Sequence, residues 1–157
     1  MSKVIVTVEK ALKKAESYCA YQERSQQEVR DKIYSWGLHS VDVENIVSIL
    51  ISSGFLKEER FAVAFAGGKF RIKKWGRNKI KAALKDKKVS DPLIRKALSE
   101  IEDSDYLKTL KQLIKSHTEK STEENPLKKK YKIASYLISR GFESELVWEV
   151  IKDIDEI

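Results

Sequence analysis

The sequence predicts an all-α protein of three tandem three-helix repeats that form an elongated, curved array. Three observations predict it. An apolar spacing recurs three times, the turn residues recur with it, and the composition is that of one folded domain: 157 residues, 41% hydrophobic and 35% charged. Reading from Val29, apolar residues fall at Val29, Ile33, Leu38, Val43, Ile46, Val47 and Leu50, the pattern of two amphipathic helices joined by a short turn. The same offsets from Ile80 give Ile80, Leu84, Val89, Ile94, Ala97, Leu98 and Ile101. From Ile133 they give Ile133, Leu137, Phe142, Val147, Val150, Ile151 and Ile154. All 21 positions are apolar, where the overall composition would fill roughly nine by chance.

The turns repeat independently of the cores. Ser40, Asp91 and Ser144 stand at matching places as N-caps, with Pro92 expected at the first helical position after Asp91. Gly37 and Gly141 occupy matching places suited to a left-handed helix terminus, and the middle copy has Lys88 there. Each copy begins with a further helix, expected over about Val8 to Tyr21, Glu58 to Ile72 and Asp105 to His117. Ser25 and Glu28 have the spacing of a capping box, and Gly54 separates the first copy from the second. Polar residues from Thr118 to Pro126 read as a longer loop within the third copy, while Val4 to Val8 fits a strand or a tail equally well. The repeats then span about 7–53, 54–103 and 104–157, forming a single domain.

Charge is concentrated. Of the net +7, the window from 69 to 88 holds ten Lys or Arg against one acid, Asp86, so the rest of the chain is near neutral. Lys74, Arg77, Lys81, Lys85 and Lys88 are spaced to line one side of a helix, with Lys69, Arg71 and Lys73 extending the patch. A solvated face is the usual meaning of a charge run. Here no acid falls within the stripe, so nothing local offsets its self-repulsion, and an acidic partner such as nucleic acid explains it better. Trp75, in the midst of the cations, suits base stacking or packing beside Gly76, with packing preferred; Trp36 and Trp148 read as core, as do Phe61, Phe65 and Phe70. Lys128, Lys129, Lys130 and Lys132 form a weaker second cluster at a helix start, where the helix dipole disfavours them.

Catalytic constellations are absent. Glu58 with Glu59, and Glu123 with Glu124, are adjacent and so point apart, and neither His39 nor His117 has a nucleophile or metal partner nearby in sequence. A lone Cys19 forms no internal disulfide and, with two histidines, makes no structural zinc site. No apolar run is long enough to span a bilayer, and Val4 to Val8 is too short for a secretory h-region. The expectation is a cytoplasmic binding protein, not an enzyme, without cofactor, metal, membrane or small-molecule substrate.

Particular residues narrow the partner. Gly54, Phe55 and Leu56, then Glu59, Arg60, Phe61 and Ala62, then Lys74, Trp75 and Gly76 with Ile80 and Leu84, resemble the central motif of the RecX family, bacterial regulators of RecA. Arg140, Gly141 and Phe142 after Leu137 resemble its C-terminal signature, and Arg24, Ser25 and Glu28 its N-terminal one, so the likeness covers roughly residues 9 to 155. Lys57 departs from the family's usual Asn or Asp at a helix N-cap. The resemblance implies tandem three-helix repeats that bind the RecA filament and restrain it, several members also binding single- or double-stranded DNA, in recombination, DNA repair and the SOS response. A freestanding helical nucleic-acid-binding protein acting without RecA is the alternative.

Overall fold

A computed structural model describes residues 6–154. The helices are α1 (Val8–Tyr21), α2 (Gln26–Tyr34), α3 (Ser40–Ser52), α4 (Glu58–Lys73), α5 (Arg77–Asp86), α6 (Asp91–Ser99), α7 (Asp103–Lys120), α8 (Pro126–Ser139) and α9 (Ser144–Asp153). No strand occurs among the described residues, and the fold is an all-α helical repeat. Val4 and Ile5, which suit a strand or a tail equally by sequence, lie outside the described residues. Val8 already belongs to α1, and the Thr7 hydroxyl accepts from Lys10 N at 3.3 Å to cap that helix.

The repeat positions form the core. All 21 are buried except Leu98 and Ile154, which are half-buried. Fully burying one such aliphatic side chain contributes about 1.5–3 kcal/mol. The opening helix of each trio adds its own strip at helical spacing: Ala11, Ala15 and Cys19 on α1, Ala62, Ala66 and Phe70 on α4, Tyr106, Leu110 and Ile114 on α7. Helices α1, α2 and α3 pack pairwise, and so do α7, α8 and α9.

The described chain divides into two compact units, one of residues up to Ala64 with Leu84–Lys96, the other of Phe65–Ala83 with the residues from Ala97 onward. The divisions fall inside α4, α5 and α6, so the middle helices contribute to both units.

Turn chemistry follows the repeat with one offset. Gly37, Lys88 and Gly141 all have positive φ, at 88°, 62° and 100°. At the last two, the same pair of bonds closes the helix: Lys88 N to Lys85 O with Val89 N to Leu84 O, and Gly141 N to Ile138 O with Phe142 N to Leu137 O. The N-caps, however, lie one residue earlier than the sequence suggests. The carbonyls that open the following helices belong to His39, Ser90 and Glu143, which accept from Val43, Ile94 and Val147. Ser40, Asp91 and Ser144 are therefore the first helical residues, neither His39 nor Glu143 makes a side-chain cap, and Pro92 stands second in its helix, still within the turn whose N–H groups have no intrahelical acceptor. Ser25 and Glu28 do make both bonds of a capping box, at 3.0 and 3.1 Å. The loop expected from Thr118 to Pro126 is shorter, because α7 runs on to Lys120 and Asn125 caps α8 through bonds from Leu127 N and Lys128 N.

Candidate functional site

Two short segments far apart in sequence meet in the second unit. Gly76 N donates to Arg140 O at 2.8 Å, and Asn78 N donates to Gly141 O at 2.9 Å. Only glycine fits at the crossing, because a Cβ on Gly76 would stand 2.2 Å from the backbone nitrogen of Phe142. Arg140, which caps the C-terminal end of α8, donates through its guanidinium to the Lys73 carbonyl at the end of α4.

Beside this crossing lies Tyr106, buried between the rings of Phe70 at 5.7 Å and Phe142 at 5.2 Å. Its hydroxyl donates to the Glu143 carboxylate and accepts from Arg77 N at 3.0 Å. Burial, then the bond to Glu143, raises the phenol well above its ordinary pKa and keeps it protonated as a donor. The Arg77 guanidinium lies 3.7 Å from the Tyr106 ring centre and forks to Glu143 at 2.9 Å and Asp103 at 2.8 Å. Arg77 is thus a paired, half-buried residue and not a free member of the stripe, which corrects the reading that no acid answers it. Its partners lie 26 and 66 positions away, beyond any local window.

The other stripe residues also depart from a single helical line. Lys74 and Lys88 flank α5 in left-handed backbone at φ 57° and 62°, so only Arg77, Lys81 and Lys85 are helical. In the second unit Arg71, Lys73, Lys74 and Lys81 are exposed and have no salt bridge among the described residues, with Arg71 folded back against Gly67. Lys69 and Lys79 place their ammonium groups 4.9 and 4.6 Å from the Trp75 ring centre, so the half-buried Trp75 packs against cations of its own chain. In the first unit Lys88 is exposed and Lys85 approaches Asp91 at 3.9 Å.

The second cluster is partly spoken for. Lys132 pairs with Glu123 at 2.7 Å, a bond that, ahead of the one from Asn125 N, holds that carboxyl below its usual range; Lys128 is exposed, and Lys129 and Lys130 are half-buried. His39 is exposed, whereas His117 is half-buried against Tyr136 at 4.2 Å, and burial lowers its pKa. No group of three His, Cys, Asp or Glu among the described residues is placed to hold a metal.

Models of two RecX three-helix domains match this chain, the second domain over residues 58–98 and the third over 103–151, together more than half its length. The chain belongs to the RecX family. Regulatory protein RecX of Thermotoga maritima is 28% identical over 139 residues, covering 86% of this chain and 78% of that relative. Regulatory protein RecX of Lactobacillus johnsonii is 29% identical over 145 residues, covering 92% of this chain and about half, 54%, of its own length. The crystal structure of RecX from Lactobacillus salivarius has the same fold, with a TM-score of 0.86 at 23% identity over 96% of this chain and 97% of that one. RecX is a family of regulatory proteins, and the regions of this chain that match its second and third domains carry the two segments that cross at Gly76 and Gly141. No helix among the described residues is long and apolar enough to cross a membrane.

Proposed function

We propose that this RecX family member acts in the cytoplasm to bind the RecA nucleoprotein filament and restrain it, with accessory binding of single- or double-stranded DNA. The observation that supports this most directly is the set of exposed cations without salt bridges, Arg71, Lys73, Lys74 and Lys81, within a window outside which the chain is close to neutral. Such a patch raises the local concentration of phosphate and carboxylate partners. Lys69 adds charge in the same unit, Lys85 and Lys88 are further cations in the first unit, and Arg77 acts as a positioning residue that fixes the start of α5 against Tyr106 and Glu143. Contacts of lysine with phosphate carry no base information, so DNA binding has little sequence preference and weakens steeply with salt.

RecA ATPase and strand exchange on single-stranded DNA, with and without the chain, test the proposal. Dose-dependent suppression is the expected result. DNA binding with unchanged RecA activity would establish the freestanding nucleic-acid-binding reading in its place.

A further inference from the structure

The first unit carries an open groove of about 570 Å³ between α1 and α2 that no charge run in the sequence announces. Three aromatic residues line it: Tyr18, Tyr21 and Trp36. Four cations join them, Lys13, Lys14, Arg24 and Lys32, and no carboxylate lies in the lining. The two sets interleave. Arg24 stacks 3.7 Å from the Tyr18 ring centre with its Nε donating to Tyr18 O at 3.0 Å, Lys32 stands 5.5 Å from that ring, and Lys14 stands 4.9 Å from the Trp36 ring. None of the four cations forms a salt bridge among the described residues. The carboxylates that reach Tyr18 electrostatically, Glu28 and Asp31, are bonded to Ser25 N and to the Gln27 amide. Tyr21, at the end of α1, is 82% exposed, and the Arg24 guanidinium stands 5.9 Å from its ring centre.

A packed core does not need an exposed tyrosine, and four cations around one groove, none of them in a salt bridge, repel one another. Phosphates at base spacing, with a base face presented to an aromatic ring, resolve both features together. We propose that this groove is a binding site for a short run of single-stranded nucleic acid, with phosphates on Lys13, Lys14 and Lys32 and a base stacked on Tyr21. A duplex is not the fitting ligand, because its base faces are hidden in the stack and a ring at the groove rim has nothing to cover. The site is distinct from the cations of the 69–88 stretch and requires no RecA.

Fluorescence anisotropy of the full chain with a labelled oligothymidylate, without RecA, tests the site. Tyr21→Ala should weaken binding roughly 5- to 150-fold, the range that loss of one base–aromatic stack gives. Tyr21→Phe should retain affinity. An abasic deoxyribose-phosphate oligomer of equal length should bind Tyr21→Ala and the parent chain alike, and Lys13→Glu with Lys14→Glu should weaken both oligomers. The same ratios should persist when Lys74, Lys81 and Lys85 are reversed to Glu, which separates this groove from the proposed filament contact. The inference is overturned by unchanged oligothymidylate affinity in Tyr21→Ala, by an equal loss on the abasic oligomer, by no binding of the parent chain, or by an acidic peptide that competes as well as the oligothymidylate.

Discussion

Gly76→Ala would place a Cβ 2.2 Å from a backbone nitrogen that is itself held in the crossing, so no flexible neighbour can yield, and a loss of about 3 kcal/mol is expected in urea unfolding. An unchanged midpoint would show that the crossing yields enough to admit a methyl group. Lys88 is the opposite case. It adopts the left-handed conformation that Gly37 and Gly141 take at matching turns, where a side chain costs about 1–2 kcal/mol. Lys88→Gly removes that strain and loses part of the gain to unfolded-chain entropy, leaving a stabilisation of about 0.5–1 kcal/mol that thermal unfolding would register. Glu58 sets a pH dependence. Burial raises its pKa, outweighing the hydrogen bond from Gln26 N and the nearby Arg30 that lower it, so the folded chain binds a proton more readily than the unfolded one. Its contribution to stability is therefore present below the ordinary carboxylate pKa and is lost as pH rises through the raised value. Glu58→Gln keeps an oxygen for Gln26 N and carries no charge, so it should exceed the parent in stability at neutral pH and match it in acid. A variant less stable than the parent at neutral pH would reverse the sign.

At the scale of elements, the start of α5 is held by one side chain. Arg77 sits on Tyr106, bonds Glu143 and Asp103, and has its own backbone N–H on the Tyr106 hydroxyl. Arg77→Ala leaves Glu143 without its cation and should cost about 2 kcal/mol, the value of hydrogen bonds to charged groups. Arg77→Lys should fall between, since an ammonium cannot supply the planar fork. If Arg77→Ala keeps the unfolding midpoint, the network is incidental and Arg77 rejoins the cations that face a partner. This element also marks where the sequence stops being readable. The cores of the second and third helices are legible because aliphatic spacing is local, and the left-handed turns because glycine and its lysine substitute fall at fixed offsets. The opening helices are less so, although the strip on α1 begins at Ala11 and that on α4 at Ala62, each 18 positions before Val29 and Ile80. Small residues in one copy and Tyr106, Leu110 and Ile114 in another hide that equivalence from a pattern of residue types. The N-caps fall one residue earlier than their residue types suggest because Glu143, the true cap position of α9, looks like a solvent acid in sequence, while its carboxylate is engaged by Arg77 and Tyr106 instead of by its own helix. Acid partners far along the chain, and the groove residues scattered from Lys13 to Trp36, leave no run for the eye to find.

For the whole molecule, the charge pattern and the fold meet in one decisive comparison. The net charge resides almost entirely in one window, yet within it the cations do different work: Arg77 holds α5, Lys69 and Lys79 lean on Trp75, and Lys74 and Lys81 are exposed without salt bridges. Reversing Lys74, Lys81 and Lys85 to Glu while leaving Arg77 in place therefore changes the field without disturbing the core, because Ile80 and Leu84, the buried residues of α5, are untouched. Each reversal removes a cation and installs an anion, so phosphates and carboxylates are both repelled. The variant should keep the parent's helical circular dichroism and lose suppression of RecA ATPase. Ala substitutions at the same positions should give graded losses, and the salt dependence of duplex DNA binding should become shallower by about 0.9 for each phosphate that is no longer neutralised. Reversal of Lys128, Lys129 and Lys130 should matter less, since two of these are half-buried at the start of α8. A folded variant of the 74–85 set that still suppresses RecA fully would make the stretch a solvated face, and the regulatory contact would then belong to a surface whose charge the sequence does not concentrate.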